Sequence, residues 1–174
     1  MSSLIDQLRW YKEHNDRGFF ANLRSYLIES KRQRAWPALY RLNVPIEDEA
    51  QSYIAAWYSM HPEETQEGNL GTTCRIIQNK TQGKQSTDNN LTPMERRFLQ
   101  LLASGDEREL RNRITRIILM AKSQQVPVNY EQLKIDSNNW NQKTRISWAQ
   151  AFWAANATLP GKQEEKRRSN ELAH

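Results

Sequence analysis

Residues 92–123 read TPMERRFLQLLASGDERELRNRITRIILMAKS, and this stretch decides the fold class. Thr92-Pro93-Met94-Glu95 is a capping box: the threonine hydroxyl can accept the amide of the residue three positions on, while the glutamate reaches back to the threonine amide. Proline at the first helical position sacrifices no hydrogen bond. A helix over RRFLQLLA is therefore expected. Ser104-Gly105-Asp106-Glu107 repeats the pattern for a longer helix ending near Ser123. On that helix Leu110, Ile114, Ile117, Ile118 and Ala121 fall within about a third of the circumference at ~100° per residue, which predicts a buried stripe.

Downstream, Asn129-Tyr130-Glu131-Gln132 resembles another capping box. A last helix from about Gln142 to Asn156 carries Ile146, Ala149, Phe152 and Trp153, with Pro160-Gly161 beyond its end. Upstream, a helix over about 3–14 spaces Leu4, Leu8 and Tyr11 at three- and four-residue steps. A second is expected from Arg17 to Lys31, N-capped by Asp16, with Phe20, Leu23, Tyr26 and Leu27 on one face. Pro37 can open a short helix within AWPALYRL, and a further helix from about Ile46 to Met60 stops before Pro62. No stretch alternates in the manner of a strand.

The expected fold class is therefore all-α, as a two-lobed helical bundle. Its expected divisions are an N-terminal lobe over 1–68, a connecting helix (LGTTCRIIQ) with a mobile polar loop over 69–91, a C-terminal lobe over 92–160 and a flexible tail over 161–174. The connecting stretch is expected to act as a hinge between the halves.

Composition narrows the function classes. The chain has 174 residues, with 25 Lys+Arg against 20 Asp+Glu for a net charge of +5, and 37% hydrophobic residues. Six Trp, six Tyr and four Phe supply the apolar area that a disordered chain lacks. No apolar run approaches the ~18 residues of a membrane span, so no membrane partner and a cytoplasmic location are expected. One cysteine and three scattered histidines permit neither an internal disulfide nor a zinc site of known spacing. The candidate reactive groups are Cys74, the His61-Pro62-Glu63-Glu64 cluster and the Asp48/Glu49 pair. None forms a nucleophile-and-base constellation, and no Gly-rich phosphate loop or HExxH motif occurs. Cys74, within TTCRII, reads as a small buried residue. No enzyme activity and no cofactor are expected.

The position of the charges says more than their sum. On the long helix Arg108, Arg111 and Lys122 flank the apolar stripe on one side, and Arg113 and Arg116 flank it on the other. Asp106, Glu107 and Glu109 suit the helix N-terminus, but no acidic residue follows until Glu131. Arg111, Arg113, Arg116 and Lys122 thus have few local counter-charges, and some are expected to face phosphates. A second acid-free window, between Glu29 and Glu47, holds Lys31, Arg32, Arg34 and Arg41 interleaved with Trp36 and Tyr40. Basic residues among aromatics suit single strands, where cations neutralise phosphates and rings stack bases. The commoner use of two rings four apart on a short helix is core packing, and that is the expectation for this pair.

The letters from Met94 to Trp153 resemble the CasB family, the small subunit of the type I-E CRISPR Cascade complex. The resemblance rests on Arg96-Arg97-Phe98-x-x-Leu101-Leu102, on the arginine-bearing middle helix, on the segment before Trp140, and on a last helix that is basic and then apolar. Looser agreement runs through Arg17-Gly18-x-x-Ala21-x-Leu23-Arg24, Pro37-Ala38-Leu39-Tyr40-Arg41-Leu42 and Leu70-Gly71. It spans most of residues 17–153.

The resemblance implies a non-catalytic, all-helical, two-lobed protein. Two copies would sit against the backbone subunits that hold the guide RNA, beside the large subunit, and hold the target DNA and the displaced single strand while the R-loop forms. The family's basic positions carry over to Arg96 and Arg97, to an arginine of the middle helix placed at Arg116, and to Lys143 and Arg145. The segment Asn79 to Asn90 looks inserted, and the basic residue that some relatives carry after Pro45 has no counterpart in IEDEAQSY. A globule of this length is about 40 Å across, and phosphates on one strand lie ~3.4 Å apart. One copy therefore tracks on the order of a dozen, and an R-loop of ~20 bp needs two copies in a row. Arginine also forms bidentate pairs with carboxylates, so the rival expectation is a helical protein-interaction adaptor with basic docking surfaces. A helical DNA-binding regulator is a third reading, but no helix-turn-helix stands out.

Overall fold

The computed structural model describes residues 2–82 and 90–154. The segment 83–89, the last residues of the expected final helix and the expected tail over 161–174 lie outside the described residues.

The fold is all-α. Helices α1 (Leu4–Glu13), α2 (Arg17–Arg24), α3 (Trp36–Arg41), α4 (Glu49–Met60), α5 (Leu70–Gln82), α6 (Pro93–Leu102), α7 (Glu107–Gln124), α8 (Tyr130–Asn138) and α9 (Gln142–Trp153) follow one another, with two 3-10 segments, Ser25–Leu27 and Glu29–Ala35, between α2 and α3. Among the described residues the only β pairing is an isolated parallel bridge between Glu64 and Val128.

Side chains fix the helix starts. Thr92 and Glu95 close the predicted capping box reciprocally at the start of α6. Asp16 caps α2 through the Phe19 amide, and Asn129 caps α8 through the Gln132 amide. At α7 the cap is Asp106, two residues later than the Ser104 box suggested, and the Glu109 carboxylate reaches back to accept the Gly105 amide. The Ser104 side chain is buried beneath this turn instead. α4 starts at Glu49 rather than Ile46, because Asp48 accepts the Gln51 amide and so terminates the preceding turn. α1 carries its own reciprocal box, Ser3 with Asp6, and the two hydrogen bonds from Ser3 hold the Asp6 carboxyl below the usual carboxylate range.

The expected helix from Arg17 to Lys31 is divided. The α-helix ends at Arg24 and the chain continues in 3-10 geometry, with Tyr26 buried edge-on against Tyr53 at 5.1 Å between centroids. A 3-10 helix repeats every three residues, so Arg32 and Ala35 share an inward row while Lys31 and Arg34 share an outward one.

α4 is the central element, with every residue from Ser52 to Met60 buried. It packs against α1, α2 and the first 3-10 segment on one side and against α7 and α8 on the other. A helix buried all round needs its polar atoms matched internally. Trp57 Nε1 donates to Thr115 Oγ1 of α7 at 2.9 Å, Ser59 Oγ donates to the Ala56 carbonyl, and the Tyr130 hydroxyl of α8 donates to the Trp57 and His61 carbonyls. His61, at the end of α4, is itself buried and donates from Nε2 to the Val126 carbonyl.

α5, which extends beyond the expected LGTTCRIIQ, packs against α9, α7 and α6. Gly71 makes the α5–α9 approach possible, since a Cβ there would stand 2.0 Å from the Trp148 carbonyl oxygen. Cys74 is fully buried on the same helix, and burial pushes its thiol pKa well up, as expected for an unreactive core residue. The buried apolar residues form one cluster running from Leu4 to Phe152. On α9 the buried row is Thr144, Trp148 and Phe152, while Ile146, expected on the apolar face, is 47% exposed.

Candidate nucleic-acid interface

The long helix presents its basic residues on two sides of the buried stripe, as its periodicity requires. The Arg108 and Arg111 side faces α4 and the 3-10 segments; the Arg113 and Arg116 side faces α6. Their environments differ sharply.

Arg111 is not a solvent-facing cation. It is buried at 9% exposure, with Nη1 donating to Glu49 Oε2 at 2.6 Å and Nη2 to Glu107 Oε2 at 3.3 Å, and its guanidinium lies 5.3 Å from the Tyr53 ring centroid. The expected lack of counter-charges fails here because Glu49 arrives from α4, 62 residues away in sequence. Arg113 likewise pairs with Glu109 one turn back and donates to the Gln100 carbonyl at the end of α6. Arg32, in the inward 3-10 row, donates to the Tyr26 carbonyl and the Tyr53 hydroxyl and sits 4.7 Å from the Tyr26 ring centroid. Arg145 donates to the Leu102 and Ser104 carbonyls and lies 5.0 Å from the Trp140 ring. These four side chains cap carbonyls, pair with acids and cover rings, and each is thereby held in a single position.

Arg108 is intermediate in kind. It reaches Glu29 at 3.6 Å, but both side chains are about 80% exposed, 80% and 79%, so the pair is weak and yields to a competing anion. It stands at the mouth of a polar cleft of about 350 Å³ between α7 and the 3-10 region, where Arg32, Arg111, Glu49 and Tyr53 also lie.

The remaining predicted residues face solvent. Lys31, Arg34, Arg41, Arg96, Arg97, Arg116, Lys122 and Lys143 are all exposed. None has an ion-pair partner among the described residues. Two of them converge. Arg97 of α6 reaches over Met120 of α7, Nη1 standing 3.2 Å from the sulfur. Arg116 lies one turn before Met120 on the same helix face, whereas Arg96, next to Arg97 in sequence, points about 100° away around α6. Helices α6 and α7 thus carry a basic ridge, Arg97 and Arg116 with Arg96 on the adjoining face of α6, which has no ion-pair partner among the described residues and is built on a rigid base by the Phe98 and Leu101 core contacts. Lys122 lies on the opposite flank of α7, and Lys143 in the first turn of α9.

Two surface features were not among the predicted site residues. Leu99 (38% exposed) and Ile146 line a shallow groove of about 340 Å³ between α6 and α9, together with Leu102, Ala103 and Ala149. The signal was available in Leu99, which stands about 100° off the Met94, Phe98, Leu101 row. Trp36 and Tyr40, expected in the core, instead face outward at 39% and 80% exposure. Ala35, Ala38, Leu39 and Leu42 fill the inward face of that short helix.

Comparison with known proteins agrees with this architecture. The family model described as CRISPR-associated protein Cse2 matches residues 20–153. The crystal structure of CasB from Thermobifida fusca superposes with a TM-score of 0.64 at 15% sequence identity, covering 86% of this chain and 93% of that one, a likeness of fold. No curated protein matches the chain by sequence. Among the described residues no helix is long and apolar enough to cross a membrane. With the family model matching most of the chain and the helical fold shared with CasB, the chain belongs to the Cse2 family, the CasB small subunits of the type I-E CRISPR Cascade complex.

Proposed function

We propose that this chain is a non-catalytic, nucleic-acid-binding small subunit of a Cascade surveillance complex, holding target DNA and the displaced strand while the R-loop forms. The observation that carries the reading is the α6–α7 ridge, where Arg97 and Arg116 meet at Met120 with Arg96 on the adjoining face of α6, three exposed cations with no ion-pair partner among the described residues. Cations kept without partners on packed helices lose little by turning to phosphate, and each phosphate they neutralise releases a counterion. The exchange of duplex for heteroduplex is close to balanced, so a few backbone contacts to the displaced strand tip it without any chemistry. In this reading the partners are the guide RNA ribonucleoprotein, the backbone and large subunits, and a second copy of the chain in line with the first.

The adaptor reading draws on one observation, the Leu99/Ile146 groove, which is apolar and bordered by Arg145. It is compatible with the first reading, since a subunit embedded in a complex must also present a protein-facing surface. The deciding experiment is R-loop formation by reconstituted complex carrying Arg96→Ala, Arg97→Ala and Arg116→Ala together. Loss of three phosphate contacts should lower the slope of log affinity against log salt by about 2, at ~0.7 for each single-strand contact. R-loop formation equal to the parent with an unchanged salt slope would show that the ridge does not touch DNA, and persistence of the partners after nuclease treatment would favour the adaptor.

A further inference from the structure

We propose that Trp36 and Tyr40 form a base-stacking platform for single-stranded nucleic acid on α3, flanked by Lys31, Arg34 and Arg41. The proposal rests on the reading of the chain as a DNA-holding subunit and gives it a second contact surface, with a preference for unpaired strands. Three observations carry it. The first is placement: Trp36 and Tyr40 are one helical turn apart on the face of α3 opposite Ala35, Ala38, Leu39 and Leu42, all of which are buried. The second is that both rings are unoccupied by other rings among the described residues. Trp10, another exposed ring at 52%, already has His14 stacked on it at 3.8 Å. Nothing of that kind covers Trp36 or Tyr40.

The third observation is charge. The three-residue period of Glu29–Ala35 turns Arg32 into the Tyr26/Tyr53 cluster but leaves Lys31 and Arg34 together on the outer row. Arg41 lies beside Tyr40 on the outer side of α3. All three cations are exposed and have no ion-pair partner among the described residues. Two open rings within a set of open cations match a chain of alternating bases and phosphates, which stacks on the former and neutralises the latter. Four residues of helix rise set the Cα atoms of Trp36 and Tyr40 about 6 Å apart along the axis, against an axial spacing of ~3.4 Å between nucleotides of a duplex strand, and the two rings do not pair with each other. Bases that cover both rings must therefore be unstacked from each other, a condition that single strands meet and duplexes do not.

Fluorescence anisotropy with the full-length protein at low salt tests this, using labelled dT12 and a 12-bp duplex as probes. Tyr40 is exposed enough for substitution to leave the fold intact, and circular dichroism verifies it. Tyr40→Leu should weaken dT12 binding about 5- to 150-fold, as expected for removing one stacked base. Its salt slope should stay unchanged because no phosphate contact is lost, and duplex binding should change less than twofold. Tyr40→Phe, which keeps the ring, should bind dT12 like the parent. If Tyr40→Leu binds dT12 as well as the parent, if Tyr40→Phe loses as much as Tyr40→Leu, or if both probes weaken equally, the platform is refuted and the ridge of α6–α7 stands alone. Binding of neither probe by the parent protein would overturn the DNA-holding function and the platform with it.

Discussion

Arg111→Ala and Arg116→Ala, two substitutions on one helix, should separate structural from recognition arginines. Arg111 makes charge-assisted hydrogen bonds to Glu49 and Glu107 and lies against Tyr53, with its side chain 10% exposed. Its two acceptors are 58% and 78% exposed. Truncation therefore leaves no buried carboxylate without a partner, and the loss falls below the ~3–5 kcal/mol seen when a buried pair is broken. Two discounted charge-assisted bonds, a ring contact and the packing of the aliphatic stem add to about 2–3 kcal/mol. For a domain of this length that corresponds to a melting temperature about 4–12 °C lower. Arg116→Ala should move the melting temperature by about 2 °C at most, while lowering the single-strand salt slope by about 0.7. Thermal unfolding by circular dichroism, paired with dT12 titrations at three salt concentrations well below both transitions, gives both quantities. The reasoning fails if Arg111→Ala melts with the parent and loses salt slope, because Arg111 would then contribute to phosphate binding and not to the join between α4 and α7.

Two further outcomes follow from the packing. Gly71→Ala should destabilise the fold by at least about 3 kcal/mol in chemical denaturation, because its methyl group meets the Trp148 carbonyl rather than a side chain that can move; a variant with an unchanged midpoint would show that α5 and α9 can part without cost. Burial holds Cys74, Tyr58 and Tyr130 in their protonated forms, with the Glu64 carboxylate adding to the effect at Tyr58. Their contribution is complete below the pKa of the unfolded chain and is lost as pH rises beyond it. Stability should therefore fall from about pH 8.5 for the thiol and about pH 10 for the phenols, and Cys74→Ala should postpone the onset. A melting temperature flat from pH 8 to 10.5 contradicts this.

What could be read from the letters was what local chemistry dictates. The Thr92 box, the Asp16 and Asn129 caps and the stripe of Leu110, Ile114, Ile117, Ile118 and Ala121 all depend on neighbours within one or two turns, and each lies where its pattern puts it. The two-sided distribution of arginines around α7 was legible for the same reason. The state of each arginine was not, since Glu49 reaches Arg111 from a separate helix and a window of sequence contains no trace of it. The break at Arg24 was hidden because Tyr26 leaves the α-helical path to meet Tyr53, a tertiary choice that helical spacing alone does not encode. Their spacing of four on a short helix points Trp36 and Tyr40 to the core. The structure fills that core with Ala35, Ala38, Leu39 and Leu42, small and branched residues that let α3 approach α2 closely.

The 3-10 run from Glu29 to Ala35 also makes the region sensitive to length in a way that composition does not reveal. With three residues per turn, one residue added or removed between Arg32 and Ala35 rotates everything beyond it by about 120°. Either change would take Ala35 off the row that buries Arg32: an insertion would swing Arg34 toward the interior, and a deletion would bring Trp36 and Tyr40 into the inward positions of Ala35 and Leu39. Outer-row positions can exchange one polar residue for another at little cost, whereas an insertion or deletion there reassigns inside and outside for the whole of α3. Among members of the family that share this surface, the spacing from Arg32 to Trp36 should therefore vary less than the residues that fill it.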